Sequence, residues 1–291
     1  MKIGNHDLTK NVYIIAEIGG NHDGKPDVAE LMVERAIEAG VDAVKFQTYK
    51  AETLVHPSLR ATTGPYASQL ERLKNLELSD RTYERIIDRC NIVGIDFLTT
   101  PFDLDILAKF APVMPAIKIA SGDITYHKLI KAAAAYGKPV ILSTGAATVN
   151  EILDAEALVP YKQCLLLHCV SLYPTPDGEA NLGNFFLGCE YHGYSDHTVG
   201  PLACYAAVAL GARIIEKHFT LDAGRTDGDH PHSLEPHQMK IMVQDIRRIE
   251  KMLGATKPAA GETDAVRARM RRGLYPDGSV VRPFNGVEPD A

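Results

Sequence analysis

Two lysines stand where a cation is hardest to keep. Lys45 lies between Val44 and Phe46, and Lys118 between Ile117 and Ile119, each inside a short apolar run. A buried ammonium needs a partner. A carboxylate on a neighbouring strand would make each lysine half of a structural salt bridge. An anionic ligand would instead make the pair the floor of a binding site. Small hydroxyl donors close similar runs: Thr100 in LTTP, Ser121 in IASGD, Ser143 in VILSTG and Ser195 in YSDH. Two lysines and several hydroxyls converging on one mouth are what a phosphate or carboxylate requires.

His197 and His218 sit near the ends of two successive runs, with Glu17 ending the first run and Asp229 following the last. Each histidine on its own reads as an ordinary hydrogen-bonded residue. Together with the two carboxylates they could hold a divalent cation of the Mn²⁺, Fe²⁺, Co²⁺ or Zn²⁺ kind. No cysteine lies beside them, which argues against a structural zinc. His22, His168 and the group His230, His232 and His237 are weaker candidates, and His237 reads as a helix-surface residue.

The elements that must position these groups alternate along the chain. Apolar strand-like runs cover 12–17, 41–47, 95–99, 116–120, 139–143, 164–169, 191–195 and 213–218. Helical patterns cover 25–39, 79–93, 103–111, 126–136, 148–158, 200–210 and 235–253, several ending at a glycine. Near-continuous apolar strands joined by helices mean a parallel sheet covered by helices. Eight such units predict an α/β fold of the closed (β/α)8 TIM-barrel kind over residues 1–255, with a polar tail over 256–291. An open doubly wound sheet is the rival, but no GxGxxG follows the first strand. Residues 174–190 read as a long loop with little helix, and the long connection 50–77 reads as a lid. In such a barrel the chemistry collects at the C-terminal ends of the strands, where Glu17, His22, Lys45, Thr100, Lys118, Ser121, Ser143, His168, Ser195, His197 and His218 fall.

Composition bounds the rest. The chain has 291 residues, a net charge of −6, 45% hydrophobic and 23% charged residues, which describes a soluble globular protein rather than a disordered or fibrous one. Mild acidity disfavours nucleic acid and anionic lipid as partners. No apolar stretch reaches the ~18 residues of a membrane span. The five cysteines are odd in number and form no CxxC, so they read as free thiols in a reducing cytoplasm.

The segments AEIGGNHDG (16–24), DAVKFQTYKAETL (42–54), TTPFD (99–103), IKIASGD (117–123), PVILSTG (139–145), SLYPTP (171–176), GYSDHTVG (193–200) and IIEKHFTLD (214–222) resemble the sialic acid synthase family, in order and over all eight strands. The resemblance implies condensation of phosphoenolpyruvate with the open-chain aldehyde of an aldose of the N-acetylmannosamine type. The products would be a 2-keto-3-deoxy sugar acid and phosphate. It implies Lys45, Thr100, Lys118, Ser121, Ser143 and Ser195 as phosphoenolpyruvate-binding groups and His197 and His218 as metal ligands. It further implies Glu17 and Asp229 as catalytic carboxylates, and Gln47, Phe102, Asp123, Tyr173 and Asp229 as sugar-binding residues. Mn²⁺ is the favoured ion, with Mg²⁺ or Co²⁺ as alternatives. A homodimer working in the cytoplasm is implied as well.

The chain departs from the family pattern in places. Asp123 stands where a glutamate is expected, Ser171 where asparagine is common, and RRGLY (271–275) replaces an Arg-Ser-Leu type sequence. The small antifreeze-like domain of typical members is expected to be absent beyond residue 255. These departures keep open a different aldehyde, one without an acetamido group, as the acceptor. A non-catalytic barrel is the reading from another class, against which the full set of strand-end residues argues.

Overall fold

Each strand of the barrel is largely buried on both faces because helices cover one face and neighbouring side chains fill the other. A computed structural model describes residues 1–57, 69–186, 190–254 and 264–289. The eight strands are β1 (Tyr13–Gly19), β2 (Ala43–Thr48), β3 (Asp96–Pro101), β4 (Ile117–Ile119), β5 (Val140–Ser143), β6 (Cys164–Cys169), β7 (Gly193–Asp196) and β8 (Ile214–His218). They form one parallel sheet in the order β3-β2-β1-β8-β7-β6-β5-β4, and β3 and β4 face each other across the seam without a hydrogen-bonded ladder. The predicted (β/α)8 barrel is therefore present, with seven of its eight strand junctions laddered.

The covering helices start and stop where local chemistry dictates. Helix α1 (Pro26–Ala39) opens with proline in its first turn and closes at Gly40, whose φ of 84° is left-handed and suits glycine. Helix α2 (Asp80–Val93) is capped by Ser79, whose side chain accepts from the Thr82 N–H. Helices α3 (Leu104–Phe110) and α4 (His127–Ala134) follow β3 and β4. Helix α5 (Val149–Glu156) begins with a reciprocal capping box between Thr148 and Glu151. Helices α6 (Leu202–Ala209) and α7 (Pro236–Leu253) complete the set. Between β6 and β7 the described residues hold two 3-10 turns, Asp177–Glu179 and Leu182–Phe186, as the sparse apolar spacing there predicts.

Several boundaries differ from the sequence reading by one or two residues. The long connection after β2 is not loop throughout: short helices at Ala51–Leu54 and Gln69–Asn75 frame it, and the rest of that stretch, 58–68, lies outside the described residues. A two-stranded hairpin, Lys2–Ile3 with His6–Asp7, precedes the barrel. Strands this short carry no periodic signal.

The outward faces of β2 and β3 send Phe46 and Phe97 against Tyr83 of α2 and Phe110 of α3, with ring centroids 5.1–6.3 Å apart. His168 points the same way from β6. It stacks on Tyr194 at 5.6 Å and its Nε2 meets the Ala180 carbonyl at 2.9 Å, so it belongs to the helix layer. Cys90, Cys164, Cys169 and Cys204 are buried free thiols; Cys189 lies outside the described residues. Among the described residues no helix is long and apolar enough to cross a membrane.

The chain divides into two units, Met1–Lys251 and Met252–Ala291. The described part of the second contains a helix, Asp264–Met270, and a hairpin pairing Gly273–Leu274 with Val280–Val281. In the first unit β7 begins on a glycine for want of space. A Cβ at Gly193 would lie 2.3 Å from the Ile214 carbonyl oxygen and 2.8 Å from Leu167 Cδ2. Gly193→Ala should therefore cost about 1–3 kcal/mol and lower the melting temperature by several degrees. An unchanged melting curve would contradict this packing.

Candidate active site

Four buried charges form the floor of the barrel mouth. The β1–β2 ladder sets Glu17 opposite Lys45, the β8–β1 ladder sets His218 opposite Glu17, and the β8–β7 ladder sets Glu216 opposite Ser195. Lys45 Nζ lies 2.7 Å from Glu17 Oε2, donates to Thr100 Oγ1 at 3.0 Å, and is 3.7 Å from Glu216 Oε1. Lys118 Nζ donates to Ser143 Oγ at 2.7 Å and to the Ile119 carbonyl at 3.2 Å, and is also 3.7 Å from Glu216 Oε1. Ser195 Oγ donates to that same oxygen at 3.0 Å, and Gln47 Nε2 to Glu17 Oε1 at 2.9 Å. All four charged side chains are 5% exposed or less.

Each lysine is thus paired with a carboxylate, as the salt-bridge reading expects, and each also faces the cavity. Glu216, the carboxylate shared by both, was missed. Its signal was its spacing two residues before His218, which puts both on the inner face of one strand.

The surroundings push the two carboxyls apart. Burial raises Glu17 above its ordinary value of 4.5, and the Glu216 charge adds to the shift against the opposing pull of Lys45. Burial also works against Glu216, yet Lys118 and Lys45 hold it below the ordinary value. Burial pulls the Lys118 ammonium down, whereas Glu17 and Glu216 overcome burial to hold Lys45 up. A carboxyl pushed up beside one held down is the arrangement that separates an acid from a permanent anion.

Above this floor stand the two histidines. His197 Nδ1 is committed to the Val170 carbonyl at 2.7 Å, which leaves its Nε2 for a ligand. His218 Nδ1 is buried without a hydrogen-bond partner, 3.7 Å from Asp229 Oδ2. The two rings are 5.4 Å apart, and burial first of all lowers both imidazoles below their ordinary value, so they stay neutral. Neutral imidazoles beside a carboxylate fit a divalent ion. A second group, Asp23, Asp227 and His230, also brings ligand atoms within 4.8 Å of one another. There, however, Arg225 already binds both carboxylates, at 2.6 Å to each, which leaves less negative charge for a cation.

One cavity of about 460 Å³ collects these groups. Of the residues singled out in the sequence, Glu17, Lys45, Thr100, Lys118, Ser121, Ser143 and Ser195 line it. So do Gln47, Phe102, Tyr173, His197, His218, Asp229 and His230. Asp123 is the exception, absent from the cavity wall. The 3-10 turn Ser121–Asp123 turns Ser121 and Gly122 to the cavity and leaves Asp123 off its wall. The Asp123 Oδ2 is buried without a partner, and burial pushes its carboxyl up to about 6. The helix Gln69–Asn75 adds Arg72 and Leu73 to the wall, with Leu76 just beyond it, which the reading of 50–77 as a lid did not name. His22 accepts from the Gly24 N–H at 3.0 Å, His230 Nδ1 meets Thr220 Oγ1 at 2.7 Å, and His237 is exposed.

The family model described as the NeuB family matches residues 32–258. The chain is 36% identical to an N,N'-diacetyllegionaminic acid synthase of Campylobacter jejuni, over 96% of this chain and 92% of that protein. It is 39% identical to an N,N'-diacetyllegionaminic acid synthase of Legionella pneumophila, over 95% of this chain and 87% of that one. Among solved structures, an N-acetylneuraminic acid synthetase from Leptospira borgpetersenii, in complex with citrate, superposes with a TM-score of 0.79 at 36% identity, covering 88% of this chain and 90% of that chain.

Lys217 separates a structural lysine from the floor lysines. It points out of the barrel, fully buried, 2.7 Å from Asp196 Oδ2. Lys217→Met leaves Asp196 without its cation and should cost about 3–5 kcal/mol. Lys118→Met leaves Glu216 with Lys45 and Ser195, so its melting temperature should stay within a few degrees of the parent. An equal collapse of both variants in thermal melts would mean that Lys118 serves the fold alone.

Proposed function

The chain belongs to the NeuB family, and from that premise we propose that this enzyme condenses phosphoenolpyruvate with the open-chain aldehyde of a sugar. The products are a 2-keto-3-deoxy sugar acid and phosphate. The observation that carries the reading is the buried floor itself: two lysines, two glutamates and four hydroxyl side chains beneath a pair of neutral histidines.

The residues suit each demand of the reaction. Lys45 and Lys118 neutralise the phosphate and carboxylate of phosphoenolpyruvate, and Thr100, Ser121, Ser143 and Ser195 supply oriented donors. His197 and His218, with Asp229 beside them, would hold a divalent ion, which when bound polarises the aldehyde oxygen as a Lewis acid. Glu17 takes a proton as the anion arrives, a change its raised carboxyl favours. It gives that proton to the aldehyde oxygen as C3 of the enol forms the new carbon–carbon bond. As a carboxylate it then draws a proton from the water that adds at C2, and the resulting tetrahedral carbon expels phosphate, which carries off the proton of the new hydroxyl as the keto group forms.

Gln47, Phe102, Tyr173 and Asp229 give the acceptor end both apolar and hydrogen-bonding surface. This supports a polyhydroxylated aldehyde, and the resemblance to acetamido-sugar acid synthases supports an N-acetylated aldose. The reading extends to Mn²⁺ as the ion and to a cytoplasmic homodimer, both supported by the family resemblance.

The direct test is phosphate release from phosphoenolpyruvate with Mn²⁺ and a panel of aldoses that includes N-acetylmannosamine. Release should require both the ion and an aldehyde, and no release with any acceptor would overturn the reading. Glu17→Gln should lower kcat by about 10²–10⁴-fold with little change in the KM for phosphoenolpyruvate. Because the protonated form of Glu17 starts the reaction, kcat should fall as pH rises through its elevated carboxyl value, which lies above 4.5. That alkaline limb should flatten in Glu17→Gln; its persistence would assign the proton to another group.

A further inference from the structure

His232 takes no part in the steps above, and the cavity wall does not include it. It is 1% exposed, and its Nε2 is buried without a hydrogen-bond partner. That nitrogen lies 4.0 Å from Asp229 Oδ1. The other oxygen of the same carboxylate lies 3.7 Å from His218 Nδ1, itself buried and unpartnered. One carboxylate thus stands between two orphaned ring nitrogens. Leaving either unpaired costs free energy that a single hydrogen bond would recover.

The backbone around His232 is held to the strand end that carries His218. The Leu234 N–H donates to the His218 carbonyl at 2.8 Å, and the Thr220 N–H to the Leu234 carbonyl at 3.0 Å. Ser233 Oγ donates to the Asp229 carbonyl at 2.6 Å and itself accepts from Asn21 Nδ2 at 2.9 Å. The short 3-10 turn His230–His232 therefore places His232 at a fixed height behind His218. Its ring meets those of His218 and His197 edge-on, at 4.8 and 6.0 Å. Its free nitrogen faces Asp229, an outer position relative to the cavity-lining His197 and His218.

We infer that His232 is a positioning residue: its Nε2–H holds the Asp229 carboxylate against the Nδ1–H of His218, which aims the remaining nitrogen of His218 at the ion. The inference rests on reading His197 and His218 as the metal ligands. Both gaps exceed hydrogen-bond range, and about 1 Å of side-chain rotation closes each. A carboxylate behind a ligating histidine fixes its tautomer and ring orientation. Here the carboxylate is itself fixed by a second histidine, so the chain of contacts is one link longer.

The test is Mn²⁺ affinity of the purified protein, read from the electron paramagnetic resonance signal of free Mn²⁺ and independent of turnover. His232→Phe keeps the ring volume and removes the donor, and His232→Gln keeps a donor at similar reach. His232→Phe should weaken Mn²⁺ binding about 10- to 100-fold, and His232→Gln no more than about threefold. Made on top of Asp229→Asn, His232→Phe should add no further loss, because it acts through Asp229. Full affinity in His232→Phe, or a loss that adds to that of Asp229→Asn, would overturn the inference while leaving the ligand pair standing. Should the phenylalanine variant not fold, His232→Met gives the same comparison. A parent protein that binds no Mn²⁺ would overturn the ligand reading, and the inference with it.

Discussion

Four charges buried together at one end of a barrel decide most of what this structure can do. Lys45, Lys118, Glu17 and Glu216 are all close to fully buried, and Glu216 Oε1 lies 3.7 Å from both ammonium groups. Removing one such ion from water costs several kcal/mol, and only close, hydrogen-bonded partners offset that cost. The ladders of β1, β2, β7 and β8 bring those partners into register, which ties the fold to the floor. Without ligand the charges cancel in pairs. In the proposed reaction an entering polyanion would find two lysines already desolvated and fixed, and one carboxyl already biased toward taking a proton. Little reorganisation is then left for the moment of reaction.

Strand β8 shows how one stretch of sequence serves both fold and site. Its residues alternate by the two-residue period of a strand. Glu216 and His218 face the cavity, while Lys217 faces outward into a closed pair with Asp196 and the Thr198 carbonyl. Three consecutive ionisable side chains thus have separate places: Glu216 in the charge balance of the floor, Lys217 in an outward ion pair with the neighbouring strand, and His218 with its imidazole in the cavity. A one-residue slip would exchange the inner and outer sets.

Much of this was legible in the sequence because it rests on periodicity. The eight apolar runs and their glycine stops mark the barrel, and the polar residue ending each run marks its mouth. Ser143 follows from that rule, and Lys45 and Lys118 stand out as cations inside apolar runs. What sequence could not supply was partnership across strands distant in the chain. Glu216 reads as one more charge in IIEKH until the ladder sets it beside Ser195 and between two lysines. Asp123 sits within a motif that points to the site, yet a single 3-10 turn takes it off the cavity wall. His232 reads as a minor member of a histidine-rich loop, and only the pairing of residues 219 and 234 brings it behind His218.

The central claim is that the neutral floor receives the phosphoenolpyruvate anion by protonating Glu17. Calorimetric titration of phosphoenolpyruvate into the protein, in buffers of different ionisation enthalpy at one pH, counts the protons taken up on binding. The parent should take up about one proton more than Glu17→Gln, since the carboxyl binds a proton as the anion arrives beside it. Equal uptake by the two proteins, with phosphoenolpyruvate bound in both, would contradict the account.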